Sequence, residues 1–425
     1  MALLGFHIVF SLIAATLFNK FQPQFTLCER LIYSGLTYYW LPEPSDSNDG
    51  RVRRRGKNRS DGFAHDYRQQ LISLILDKVV VSRMSYYASL VWLVDYSFVS
   101  LLVFSFCQVF VYFFPQDTST NVSVLWTIFS AAFAVQILFK ILWKKFANPQ
   151  LGAERNLIFS FSLVIFLVFM LLNMFGDQFI DNNLTLGYNT LSEKMKLLAK
   201  EDVLLDVKDG SPLFLFIVAS FATALIGAAF LMPLIQYSSL YRSSVDGRKN
   251  ITSLIHHTTF FMPLFILPLF LQTIQAHVLM QMPYLTHEYF VAIRLYLIVL
   301  WAVLRISTVR PLLQTYLENA REKALNCSKH VDGFETIRSH LSYFCATSLQ
   351  LICPPIIILF TALTLLSLGQ IYPLNETARQ TAPILDNYFN VLLVPAVQRA
   401  LWTYGLFMGL TLHTFITMTT IAFGI

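Results

Sequence analysis

Residues 88–114 read ASLVWLVDYSFVSLLVFSFCQVFVYFF, a run of 27 residues in which Asp95 is the only charge. As a helix it would be about 40 Å long, more than the roughly 30 Å hydrocarbon thickness of a bilayer. The run is continuously apolar, whereas a transmembrane β-strand alternates over about ten residues. It therefore reads as a membrane-crossing helix, and the rest of the chain agrees. Of 425 residues, 55% are apolar, 15% aromatic and only 13% charged, with 38 phenylalanines and a mean hydropathy of +0.56. Soluble domains carry about a quarter charged residues. This composition excludes a water-soluble globule, a disordered chain and a coiled coil, and five cysteines are too few for a disulfide scaffold.

Eight further runs of similar character predict an all-α polytopic bundle of about nine spans. They cover Ala2 to Phe18, Ala88 to Phe114, Val124 to Trp143, Leu157 to Phe175, Leu213 to Gln236, Thr258 to Gln281, Tyr289 to Ser307, Tyr343 to Leu368 and Ala400 to Phe423. The implied organisation has a first span or signal anchor over 1–19 and a basic cytoplasmic loop, partly disordered, over 20–87. An eight-span bundle follows over 88–425, with lumenal loops 176–212 and 370–399 and a cytoplasmic loop 308–342. Of 31 Lys and Arg residues, 22 follow the odd spans one to seven and six follow the even spans. Since basic residues stay cytoplasmic, the amino terminus is expected in the lumen or outside and the carboxyl terminus in the cytosol. The first span carries no basic residue before it and Lys20 after it. That favours a retained anchor over the alternative, a cleaved signal peptide ending near Ala14 and Ala15.

Four charges lie inside spans: Asp95, Lys140, Arg294 and Arg305. A charge at such a depth is costly enough to require a partner. By depth, Asp95 is expected to pair with Arg305, with Lys140 competing unless it snorkels to the interface. Arg294 has no acid at its depth within the spans. It is expected either to reach headgroups or Glu288, or to face a polar cavity.

Prolines mark a second group of candidates, because each frees a carbonyl one turn back. Pro354 and Pro355 follow Gln350 in the eighth span, and Pro263 and Pro268 interrupt the sixth. Broken helices of this kind build binding sites in transporters, although proline often only kinks a span. Small residues Gly405 and Gly409, and the stripe Ser220, Ala224 and Ala228, predict close helix packing. Gln136 and His413 fall near mid-membrane and are expected to face each other.

In the loops, six of the nine residues from Arg51 to Arg59 are basic. They suit anionic lipid at the inner leaflet, an arginine-type retention signal, or topology setting alone. Leu312, Leu313, Tyr316, Leu317, Ala320 and Leu325 recur at helical period, predicting a cytoplasmic amphipathic helix that lies on the membrane or under the bundle and offers a partner surface. Among six N-x-S/T sequons, the topology leaves Asn121, Asn183 and Asn375 lumenal, and Asn121 abuts a span. No cofactor, metal, nucleic-acid or nucleophile motif is present, so an enzyme is the least favoured class.

The opening Met1-Ala2-Leu3-Leu4-Gly5, the segment Trp92-Leu93-Val94-Asp95-Tyr96 and the block IRLYLIVLWAVLRISTVRPLLQTYLENA from Ile293 to Ala320 resemble the transmembrane protein 161 family. The likeness runs along nearly the whole chain and is weakest from Phe21 to Tyr87. It implies a non-enzymatic glycoprotein of the endoplasmic reticulum or another endomembrane, or of the plasma membrane. It also implies a link to calcium and potassium handling, cardiac rhythm, neuronal development and resistance to oxidative stress, with ion channels or calcium-handling proteins as partners. The family offers no ligand or catalytic residue to carry over. The alternative reading is a transporter or channel with a site near Arg294, Asp95 and the Pro354-Pro355 break.

Overall fold

The computed structural model describes residues 6–22, 26–40, 71–114, 122–147, 152–176, 179–181, 184–201, 211–245, 251–282, 284–327, 330–371 and 395–424. Its helices are α1 (Phe6–Phe21), α2 (Lys78–Ser82), α3 (Tyr87–Phe113), α4 (Ser123–Ala147), α5 (Gly152–Phe175), α6 (Leu184–Glu201) and α7 (Leu213–Val245). Then follow α8 (Ile251–Ile266), α9 (Gln272–Gln281), α10 (His287–Ser307), α11 (Val309–Asn326), α12 (His330–Ser342), α13 (Phe344–Ile371) and α14 (Pro395–Phe423). Among the described residues, eight helical stretches are long and apolar enough to cross a bilayer, and α1 is a shorter apolar helix. The protein is an integral, multi-pass membrane protein.

Burial orders the bundle. In α13, 89% of the most apolar window is buried, against 22% in α5, so α13 runs through the centre and α5 along the lipid-facing edge. The pattern explains this, because a helix apolar on every side belongs where every side meets protein. α13 packs against α3, α4, α7, α10 and α14. Small polar contacts stitch neighbours together: Ser130 donates to Ser100 at 2.8 Å, and Thr127 and Thr364 hydroxyls lie 2.9 Å apart. α1 lies antiparallel to α3, with Phe6 stacked on Phe110 at 3.8 Å and Phe18 edge-on to Tyr96 at 6.0 Å.

The expected close approaches are realised in part. Ser162 donates to the Ala224 carbonyl at 3.1 Å, so α5 and α7 meet across the small-residue stripe. A Cβ at Gly409 would stand 3.4 Å from Ile358, whereas one at Gly405 would meet nothing within 4 Å. Only the second glycine of that pair thus lies against another helix. Gln136 is exposed on α4, so it does not face the fully buried His413.

At the end assigned to the cytoplasm the chain builds a cap. A π-helical turn (Glu29–Tyr33) leads into strand β1 (Thr37–Trp40), which pairs antiparallel with β2 (Ile72–Ile75), Thr37 opposite Ile75. Gly35, at φ +74°, turns the chain from the π-helical turn into β1, and the Arg310 guanidinium donates to the Ser34 carbonyl beside it. Gln314 of α11 acts on β1 like a third strand: its Oε1 accepts from Thr37 N at 3.0 Å and its Nε2 donates to Thr37 Oγ1 at 3.0 Å. Arg321 covers the Tyr39 ring at 4.7 Å, and Trp40 meets Phe334 of α12 edge-on at 5.6 Å.

This cap corrects one expectation. Leu312, Leu313, Tyr316, Leu317 and Ala320 do form the apolar face of a helix, yet all five are buried by the protein's own chain, against β1, the π-turn, α12 and α7. The face is a core seam and is not free for a partner or for lipid.

Candidate functional site

The intramembrane charges fall into three separate places. Trp92 and Tyr96, one turn apart on α3, stack at 4.9 Å and turn their edges to Phe133 of α4. That orients Asp95 away from lipid, toward the cap. Its Oδ1 accepts the backbone N–H of Cys28 at 2.9 Å, and the residue is 3% exposed. The carboxylate thus caps the start of the turn at 27–33, where orphan amides and the helix dipole favour an anion.

Arg305 is not the partner of Asp95, contrary to the depth argument. It is 1% exposed, with its guanidinium carbon 3.4 Å from the centre of the Tyr237 ring and Nη1 donating to Thr308 Oγ1 at 3.3 Å. Depth along the bilayer normal put the two charges within side-chain reach, but it carries no information about which helices are neighbours. The competitor, Lys140, stays exposed on α4.

Arg294 does have an acid, and it comes from outside the spans. Nη1 lies 3.1 Å from Asp181 Oδ2, in a pair whose side chains are 3% and 9% exposed, and donates also to the Leu269 carbonyl at 3.2 Å. The Phe270 ring covers the guanidinium at 4.1 Å. Glu288 and headgroups are not its partners.

What brings Asp181 there is the break in the sixth span. α8 ends at Ile266, a 3-10 turn (Leu267–Phe270) follows, Leu271 is extended, and α9 starts anew. Pro268 lies in that turn, whereas Pro263 stays inside α8. The freed backbone is taken up by the loop after α5: Asp181 N donates to Phe270 O at 2.8 Å and Gln272 N to Phe179 O at 2.9 Å. The spanning piece is therefore Thr252–Phe270 in place of the span expected from Thr258 to Gln281, and the interruption expected in that span falls at Pro268 and not at Pro263.

Pro354 and Pro355 behave in the opposite way. α13 runs unbroken from Phe344 through both prolines to Ile371, so the predicted break at Gln350, Pro354 and Pro355 is absent. Neighbours pack this helix on all sides, and Gln350, at 7% exposed, is buried there. Enclosure holds the backbone helical where two hydrogen bonds are missing.

A profile described as predicted transmembrane protein 161AB matches residues 2–387. The chain belongs to this transmembrane protein 161 family. No solved structure matches it. In this member of the family the matched length takes in Asp95, Arg294 and Arg305, while α14 begins beyond it.

α14 brings Tyr404 into a polar cluster whose Asn173, Thr223 and Tyr404 the sequence did not single out. Tyr404 OH accepts from Asn173 at 3.2 Å and lies 2.9 Å from Thr223 Oγ1, and Asn173 also donates to Ser220 at 2.9 Å. These four buried residues join α5, α7 and α14. The signal for them was a lone Asn in a highly apolar span. His413, 0% exposed, stands edge-on to Trp301 at 4.9 Å.

The five cysteines are free thiols. Among the described residues no three His, Cys, Asp or Glu side chains gather as a metal site. Asn121, Asn183, Asn375 and Arg51 to Arg59 lie outside the described residues.

Proposed function

We propose that this transmembrane protein 161 family member is a non-enzymatic glycoprotein that modulates calcium and potassium handling, and thereby membrane excitability, by acting on a channel or a store protein. The resemblance in sequence is the source of the cation reading. One observation supports modulation over conduction. Asp95, Arg294 and Arg305 are each at most 3% exposed and each is held by a fixed neighbour, whereas a conducting path needs charges that meet water or the ion. Residence in an endomembrane and glycans on Asn183 and Asn375 belong to the same reading.

The test is flux from proteoliposomes holding the purified protein, set beside whole-cell currents with and without it. Currents that change while liposomes stay tight to Ca2+ and K+ support the proposal. Flux above empty vesicles refutes it and favours the second reading, a transporter. What supports that second reading is the broken sixth span beside Arg294, since half-helix ends form ion and substrate sites. A stress-protective role through thiol chemistry has less support. Burial, with Asp95 beside it, pushes the Cys28 thiol up, away from the reactive thiolate.

A further inference from the structure

Arg305 carries its positive charge into the bundle with no carboxylate in reach. Its side chain is 1% exposed, neither ion pair among the described residues includes it, and Nε has no hydrogen-bond partner. A guanidinium only donates and stays protonated at any ordinary pH, so a buried one calls for an acceptor that carries negative charge. The helix end does not supply one. α10 passes into α11 across Thr308, with Thr308 N donating to Leu304 O and Leu312 N to Thr308 O, so the backbone ladder continues past Arg305.

Two further orphans share the same ring. The Tyr237 hydroxyl makes no well-formed hydrogen bond, though the Thr259 side chain is beside it, and neither nitrogen of His413 has a partner, with the imidazole 5.9 Å from the Tyr237 ring centre. A neutral imidazole always offers one N–H, and the phenol offers its O–H. Arg305 Nη1 spends one donor on Thr308 Oγ1 and the Tyr237 hydroxyl has the Thr259 side chain beside it, while Arg305 Nε and the His413 N–H are left with no protein acceptor. The neighbouring indole is already spent, because Trp301 Nε1 donates to Thr259 O at 2.9 Å.

We propose that Arg305, Tyr237 and His413 bind a small monovalent anion, chloride under cellular conditions. The walls set the size. Tyr237, Trp301, Phe260 and His413 are all at most 1% exposed, which shuts out a lipid headgroup and suits a monatomic ion stripped of water. A water molecule would accept the same donors but would leave the charge uncompensated.

The test is thermal unfolding of the full chain in nanodiscs, in sodium chloride against sodium gluconate at equal ionic strength. Chloride binding is expected to raise the melting temperature in proportion to the logarithm of its concentration once above its dissociation constant, by about 2 °C at tenfold excess, with bromide replacing it and sulfate not. Arg305→Met should abolish the shift. Because that variant risks misfolding, Tyr237→Phe, which keeps the ring under the guanidinium, and His413→Leu should each need severalfold more chloride. Bromide should also quench tryptophan emission saturably in the wild type and lose that component in Trp301→Phe. Identical melting in chloride and gluconate overturns the proposal in favour of water alone. A chloride shift unchanged in Tyr237→Phe and His413→Leu overturns it in favour of binding elsewhere.

Discussion

Replacing Asp181 by Asn should destabilise the bundle more than its position in a loop would indicate. The Arg294 and Asp181 side chains are 3% and 9% exposed and 3.1 Å apart, so both charges are largely out of water. Removing one partner of a buried pair typically costs about 3–5 kcal/mol, because the survivor is left uncompensated. For 425 residues at about 2.1 cal/mol/K of unfolding entropy each, that is a fall in melting temperature of about 3–6 °C. Arg294→Met alone should cost a similar amount by taking the cation away from the buried carboxylate. The double variant leaves no buried charge at this pair and should be more stable than either single one, by a coupling of about 2 kcal/mol or more. Nanodisc melting curves of all four proteins measure this. Additive losses, or a double variant worse than both singles, would refute the account of Arg294 as locked by Asp181.

Glycan-shift assays on single Asn→Gln variants should find sugar on Asn183 or Asn375, and sugar on Asn58 or Asn250 would invert the topology. A Cβ on Gly187 would come within 2.6 Å of the Ala400 Cβ, while one on Gly405 meets nothing. Gly187→Ala should therefore cost about 1–3 kcal/mol of overpacking and Gly405→Ala nothing or a slight gain, read from melting curves. Gln314→Leu removes the contacts to Thr37 and should speed amide exchange of β1 about tenfold, equal to about 1.4 kcal/mol, without altering exchange in α13. Burial, and next the Lys323 charge, hold the His340 imidazole below its ordinary value of 6.5. The unfolded cap then binds the proton first, so cap stability is complete above about pH 6.5 and declines as the pH falls below it. Exchange of α12 amides from pH 7.5 to 5.5 checks the sign, and His340→Gln should flatten the dependence.

The helices were legible because hydrocarbon is an undemanding reader. A span needs only length and apolarity, and α3, α4, α5, α10 and α13 begin and end within a few residues of the apolar runs. Pairings were not legible. Asp95 and Arg305 lie within an arginine side chain's reach in depth, but depth is one coordinate, and the partner of Asp95 proved to be a backbone amide, which no side-chain pattern records. Arg294 appeared to lack an acid because the search stayed within the spans, while Asp181 enters from a loop held by the break at Pro268. Prolines mislead in the same way. Pro354 and Pro355 remove hydrogen bonds, yet whether a helix breaks depends on what surrounds it, and α13 is surrounded. The amphipathic pattern of α11 was correct, but its occupant, β1, came from a loop with few apolar signals and 277 residues away.

That separation imposes an order of manufacture. Thr37 leaves the ribosome 277 residues before Gln314, and at about 5–20 residues per second the wait is about 14–55 s. Six further spans are threaded into the membrane during that interval, while Ile32, Leu36 and Tyr38 have yet to meet the helix that buries them. A nascent chain stalled before α11 would thus present a bare apolar hairpin outside the bilayer, a natural handle for chaperones and for the machinery that clears unfinished membrane proteins.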